Sequence, residues 1–352
     1  MMAYEWPLEP EALFLERYPH MTSTGMPAVD VDGVRAEITD MWADGPGGWV
    51  HEWSRVARRY AGAGRHDLAA LAYGWAKFPS LANTTRRDAF EHQLSEYLLA
   101  ASGFDVGFER RVVTVPDGTG GRVDVPVHLF AVPGVAADVP VLLVSGGVDT
   151  WKMDLHAVLV GFTQLLRVRV LAFDLPGTGD TPGPMTPHGG AAIVTGLIGH
   201  ARGFGARRIG HLGVSMGGHY AARSGLEGAV DAAVVLGGPV ERAFAPGWKP
   251  SFGMDGIVGN ALGLTAPPGP ADWDTLMPPF SLRPLLDQDR NAPMLVVNGA
   301  DDVHVPPHDT LVFEGRRDTR TLLLPDAGHC AVRKLDEVLP ETIAWLTDAL
   351  GS

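Results

Sequence analysis

IGHLGVSMGGHYAARSGL, residues 209–226, runs from a short aliphatic segment through Gly213-Val214-Ser215-Met216-Gly217 into a stretch of small and apolar residues spaced for a helix. A strand that turns this sharply into a helix brings neighbouring backbone close. The residues beside the serine must therefore be small, and its hydroxyl is thrust out at the helix N-terminus. The five-residue pattern alone recurs by chance in glycine-rich chains. Its weight here comes from the strand before it and the helix after it.

The flanking sequence has the same rhythm. VPVLLVSGG (139–147), VRVLAFDLPG (168–177), AAVVLGGP (232–239), APMLVVNGA (292–300) and RTLLLPDAG (320–328) are short aliphatic runs ending in glycine or proline, separated by stretches long enough for helices. That is the pattern of a mostly parallel sheet buried on both faces. Upstream, ERRVVTVP (109–116) and RVDVPVHLFAV (122–132) alternate as hairpin strands do. From about residue 28 to 102 the period is helical, as in WVHEWSRVARRY, HDLAALAYGWAKF and DAFEHQLSEYLLAAS, which predicts about four packed helices. Thr84 or Thr85 is the expected N-cap of the last of these and Gly103 its stop. The chain thus divides into a helical domain, 1–105, and an α/β catalytic domain, 106–352. The roughly fifty residues between Gly238 and Asn291, rich in Pro, Gly, Trp and Phe, exceed a plain crossover and read as a lid inserted at about 240–290.

A serine hydroxyl becomes a useful nucleophile only when a histidine takes its proton and a carboxylate fixes that histidine's tautomer. The α/β-hydrolase fold supplies these in the order Ser, Asp, His. VVNGADDVHVP (296–306) and LLLPDAGHCA (322–331) each end a strand at the edge where ligands collect, and His329 is the histidine that follows the last strand. Asp301 and Asp302 both qualify as the acid. Asp302 is preferred because it lies three residues after Gly299 and four before Pro306, the usual place in this fold. The oxyanion needs two donors, and the N–H groups of Met216 and Val148, the latter in the turn after VLLVSGG, are the candidates. The lid aromatics Phe244, Trp248, Phe252, Trp273 and Phe280 either line a substrate pocket or pack the lid down.

Other chemistry fits less well. Asp301, Asp302, His304 and His308 have the residue types of a metal site but match no known ligand spacing, so no metal is expected. LPGTGDT (175–181) lacks the lysine of a phosphate loop and the spacing of a dinucleotide fingerprint. Cys330, beside His329, is read as a packing residue that points away from the base. No cofactor is required. With 41 acidic against 28 basic residues and a formal charge of -13, the chain should repel nucleic acid and anionic membranes, leaving a small-molecule substrate. One cysteine permits no internal disulfide, and the first twenty residues lack the pattern of a secretory signal, so the expected compartment is the cytoplasm.

Taken together, GGVDTWKMD (146–154), FDLPGTGDT (173–181), GVSMGG, NGADDVHVP, DAGHC and the helical segment resemble the fermentation-respiration switch protein family, which includes 2,6-dihydroxypseudooxynicotine hydrolase. The resemblance covers nearly the whole chain. It implies Ser215, Asp302 and His329 as the triad and Val148 with Met216 as the oxyanion hole. It also implies N-terminal helices that cap the active site, and a homodimer. Trp151 and Lys152 of the GGVDTWK turn become candidate substrate contacts, although the acidic residues that follow that lysine in relatives are here Met153 and, in part, Asp154. Relatives cleave esters or carbon–carbon bonds beside a ketone, several on aromatic or polyketide substrates. The expected function is serine-hydrolase chemistry through an acyl-enzyme. The alternatives are acyl transfer or cyclisation from the same intermediate, and a catalytically idle interaction module.

Overall fold

The computed structural model describes residues 4–351. Eight strands form one sheet: β1 (Gly107–Pro116), β2 (Arg122–Ala131), β3 (Val141–Ser145), β4 (Arg169–Phe173), β5 (Ile209–Val214), β6 (Ala232–Leu236), β7 (Met294–Gly299) and β8 (Thr319–Leu324). Their spatial order is β1-β2-β4-β3-β5-β6-β7-β8. The pairs β1/β2 and β2/β4 are antiparallel and all the others parallel. Strands β3, β6 and β7 are buried along their whole length and β5 up to its last residue, Val214, which is why they read as mostly apolar runs. This is the α/β fold that the sequence pattern predicts.

Five helices precede the sheet: α1 (Pro10–Ser23), α2 (Ala28–Glu37), α3 (Trp49–Gly62), α4 (His66–Ala76) and α5 (Thr84–Ala100). Their own core is aromatic, with Phe14, Trp49, Trp53, Trp75 and Phe78 in mutual contact. The four helices expected between residues 28 and 102 are α2 to α5, and two details differ from the expectation. The first helix, α1, begins well before residue 28, and it carries Pro19 in its interior, which obscures the periodicity. The N-cap of α5 is Asn83, whose side chain accepts from the Arg86 N–H at 3.1 Å; Thr84 and Thr85 lie inside the first turn.

The sheet is flanked by α6 (His156–Leu166), α7 (Pro187–Gly203), α8 (Met216–Leu226) and, at its end, α13 (Leu335–Leu350), with α12 (His308–Leu311) as a short turn between β7 and β8. Between β6 and β7 lie the short helices α9 (Met254–Ala261), α10 (Pro270–Leu276) and α11 (Arg283–Leu286), which make up the insertion. Its first residues are anchored by one buried carboxylate. Asp309 accepts from the backbone N–H groups of Val240, Glu241, Arg242 and Ala243 at 2.6–3.2 Å. Among the described residues no helix is long and apolar enough to cross a membrane.

Candidate active site

Ser215 leaves β5 and caps α8 with φ 55° and ψ −122°, a backbone state that costs a non-glycine residue about 1–3 kcal/mol. The strand–helix frame holds it there: its N–H donates to Leu236 O at 2.8 Å, and its carbonyl accepts from Gly218 N at 2.8 Å. Small neighbours are obligatory. A Cβ on Gly213 would lie 2.0 Å from Gly217 O, one on Gly217 2.4 Å from Ser145 O, and one on Gly147 2.9 Å from the Ser215 Cβ.

His329 lies in a single turn just beyond β8, and Asp302 just beyond β7, at the same edge of the sheet. The His329 Nδ1 is 2.7 Å from Asp302 Oδ2. Asp302 also accepts from the Asn298 amide at 2.8 Å and the His304 backbone N–H at 2.7 Å. Burial works against the Asp302 charge, but the facing imidazole and these donors prevail and lower its pKa to about 2. Burial likewise disfavours the His329 cation, yet the Asp302 charge outweighs it and holds the imidazole well above its ordinary value. Asp301 turns the other way, accepting from the Gly328 N–H at 2.9 Å and pairing with Arg333. Of the two adjacent acids, the structure brings Asp302 to His329.

Ser215 and His329 both line two cavities. The larger, about 510 Å³, is walled by Phe162 and Leu165 on α6, Leu339 and Ile343 on α13, and Glu16, Arg17 and His20 on α1. The smaller, about 60 Å³, lies under the insertion and is bounded by Phe244, Trp248, Trp273 and Phe280 together with Val148 and Met216. In the turn after β3, the Gly147 N–H is occupied by Thr150 O at 2.9 Å, whereas the Val148 and Met216 N–H groups bond to no carbonyl among the described residues.

Three candidate substrate contacts are corrected. Trp151 lines neither Ser215 cavity. Its Nε1 donates to Val148 O at 3.1 Å, and its ring packs under the Lys77 ammonium and against Phe90. Lys152 is buried away from both cavities on Asp174, at 2.5 Å, and Asp180, so it neutralises carboxylates inside the fold. Phe252 is partly exposed and borders neither cavity; its ring meets His304 edge-on. Cys330 is corrected in part. Its thiol is buried and donates to Leu236 O at 3.3 Å, but it also borders the larger cavity.

The residues that sequence reasoning missed are Glu16, Arg17 and His20 of α1 and the loop acids Asp149 and Asp154, all on the wall of the larger cavity. No motif marks the three α1 residues, whose position depends on how that helix docks, and GGVDTWKMD contains both acids without showing that they face the cavity. Arg17 Nη2 is 2.8 Å from Asp149 Oδ2, and Glu16 Oε1 is 3.3 Å from the Nε2 of His304. The His304 ring stands edge-on to His329 with centroids 5.1 Å apart.

No family model and no curated protein matches the chain in sequence. Solved structures do match it in shape. AbyA5 superposes with a TM-score of 0.81 at 23% identity, over 97% of this chain and 94% of that one. The 2,6-dihydroxy-pseudo-oxynicotine hydrolase superposes with a TM-score of 0.72 at 20% identity, over 95% of each. Est1E from Butyrivibrio proteoclasticus, solved with ferulic acid, reaches 0.51 at 16% identity, over 68% of this chain and 100% of its own. At these identities the likeness shows the fold, an α/β-hydrolase fold. For the first two structures it extends through the N-terminal helices as well.

Proposed function

We propose that this chain is a serine hydrolase that cleaves a small carbonyl substrate through an acyl-enzyme. One observation carries the reading: a serine on a strained strand–helix turn shares both of its cavities with a histidine whose far nitrogen is bonded to a buried carboxylate. In this reading Asp302 keeps the proton of His329 on Nδ1, leaving Nε2 as the base. Ser215 Oγ attacks the carbonyl carbon and gives its proton to His329. The oxyanion is received by the N–H groups of Met216 and Val148, the first at the N-terminus of α8, where the helix dipole favours negative charge. Collapse of the tetrahedral adduct expels the leaving group, which takes the proton back from His329. Water then repeats the sequence on the acyl-enzyme and releases the acid.

The leaving group is an alkoxide in an ester, or a stabilised carbanion where a carbon–carbon bond beside a ketone is cut. The N-terminal helices serve as a cap, since α1 supplies one wall of the larger cavity. That cavity joins a largely apolar interior to a charged wall of Glu16, Arg17, Asp149 and Asp154, a surface suited to an aromatic or polyketide-like molecule with polar substituents. The ferulic acid held by Est1E and the aromatic substrate named for the pseudo-oxynicotine hydrolase support the same class.

The test pairs the protein with its Ser215→Ala variant on short p-nitrophenyl esters and aryl 1,3-diketones, with products followed by mass and Ser215 probed by a fluorophosphonate. Labelling at Ser215 and turnover lost in the variant are expected. A protein that the fluorophosphonate leaves unmodified, with turnover unchanged by the substitution, would overturn the reading. Diketone cleavage with sluggish ester turnover assigns carbon–carbon hydrolysis, and the reverse assigns an esterase.

A further inference from the structure

The loop from Gly146 to Asp154, which carries the Val148 N–H, belongs to no helix or strand. No sheet ladder fixes it, so its shape depends on individual contacts. Within the loop, Gly147 N donates to Thr150 O at 2.9 Å and Trp151 Nε1 to Val148 O at 3.1 Å. On the sheet side Lys152 anchors it, its N–H donating to Asp174 Oδ1 at 2.8 Å and its ammonium meeting Asp174 and Asp180, and further anchors come from the N-terminal helices. Gln93 of α5 donates to Asp154 Oδ1 at 2.6 Å, and Lys77, just after α4, reaches Asp154 Oδ2 at 2.8 Å and Asp149 O at 3.4 Å. Arg17 of α1 meets Asp149 Oδ2 at 2.8 Å, with the two side chains 7% and 5% exposed.

We propose that Arg17 is a positioning residue for the oxyanion hole, holding Asp149 so that the N–H of the adjoining Val148 stays aimed at the carbonyl oxygen on Ser215. The proposal rests on the serine-hydrolase reading. Asp149 is one residue from that N–H and has no other charged partner within ion-pair distance among the described residues. Arg17 also ties the loop to the opposite side of the site. Its Nε lies 2.5 Å from Glu16 Oε2, the other Glu16 oxygen faces His304, and the His304 backbone N–H donates to Asp302. One planar guanidinium thus spans the oxyanion loop and the neighbourhood of the acid. The guanidinium presents two separate nitrogens to the two carboxylates, whereas a lysine ammonium carries its charge at a single point. Burial opposes the charge on Glu16, but Arg17 and His304 overcome it and bring its pKa to about 2.

If the pair merely docked α1, its loss would reduce stability and leave the transition state alone. If it positions the N–H, the loss falls on kcat, because oxyanion donors act on charge that develops after substrate binds. The experiment therefore measures kcat, KM and thermal unfolding for Arg17→Lys, Asp149→Asn and the double variant on a short p-nitrophenyl ester. It also measures affinity for a trifluoromethyl ketone, whose adduct with Ser215 places a negative oxygen in the hole. Asp149→Asn is nearly isosteric and keeps the loop testable should Arg17→Lys fold poorly.

The expected result is a fall in kcat of about ten- to a hundredfold with KM within about twofold. Trifluoromethyl ketone affinity should fall in parallel, and the double variant should be no worse than the poorer single, since both cut the same link. Folded variants with wild-type kcat, or losses confined to KM or unfolding temperature, overturn the proposal alone. A wild-type protein that neither turns over ester nor takes up a fluorophosphonate overturns the hydrolase reading and the proposal with it.

Discussion

Two aspartates adjacent in sequence have opposite surroundings. Asp302 is buried against His329, Asn298 and the His304 N–H, while Asp301 lies near the surface with Arg333 and Gly328. Asp302→Asn should therefore leave the fold largely intact but present an amide to the imidazole, favouring the wrong tautomer. In a triad this lowers kcat by about 10⁴-fold. Asp301→Asn should change kcat by less than about threefold, because surface ion pairs contribute only about 0–1 kcal/mol. Steady-state kinetics on both variants decides it, and a larger loss in Asp301→Asn would reverse the roles. Gly147 carries a third expectation. Its missing Cβ would sit 2.9 Å from that of Ser215, so Gly147→Ala must displace either the turn or Ser215, and on the proposed mechanism fluorophosphonate labelling should slow at least about tenfold. The spacing of Asp302 from Gly299 and Pro306 was readable in the sequence. The hydrogen bonds that separate it from Asp301 were not, because they join the turn after β7 to the segment that follows β8.

At the level of elements, the central strands were legible because burial on both faces leaves one solution, a run of Val, Leu, Ile and Ala closed by glycine. Helix α1 was not. Its prolines at the start and in the interior mask the period, and its residues Glu16 and Arg17 acquire a role only by contact with a loop more than a hundred positions away. The insertion was legible as a length anomaly, whereas its anchor was not, since Asp309 lies beyond β7 and meets Val240 through backbone alone. Burial raises the pKa of Asp309, and the four N–H groups oppose that by favouring its charge. Asp309→Asn replaces one acceptor oxygen with a donor and leaves buried N–H groups without partners. The expected cost is about 2–4 kcal/mol at about 1–3 kcal/mol per orphaned group. Cleavage of the insertion by a low dose of protease should quicken before global unfolding. Equal protease resistance in variant and parent would show that the insertion is held by its apolar contacts instead.

Across the whole molecule, the buried histidines make stability depend on pH in a definite direction. Burial lowers the pKa of His20 and His156 to about 4 and of His211 and His219 to about 3, and it holds His128 well below its ordinary value. In the unfolded chain each titrates near about 6.5. Below that pH the unfolded state binds protons that the native state refuses, so stability falls as pH falls, by on the order of 1.4 kcal/mol per histidine per unit. His329 has the opposite sign. Its raised value means that its pairing with Asp302 stabilises the fold fully below about 6.5 and is lost as pH rises through the native value. On the proposed mechanism that same deprotonation creates the base, so kcat/KM should climb over the interval in which this one contribution to stability declines. Urea midpoints at pH 5, 6 and 7 should rise steeply with pH, and the kcat/KM of an ester should still be rising above pH 6.5. In Asp302→Asn the residual activity should reach its plateau at lower pH, because the imidazolium has lost its partner. A flat stability profile between pH 5 and 7 would mean that the buried imidazoles protonate within the native state, and a wild-type rate already level at pH 6 would mean that Asp302 does not raise the base.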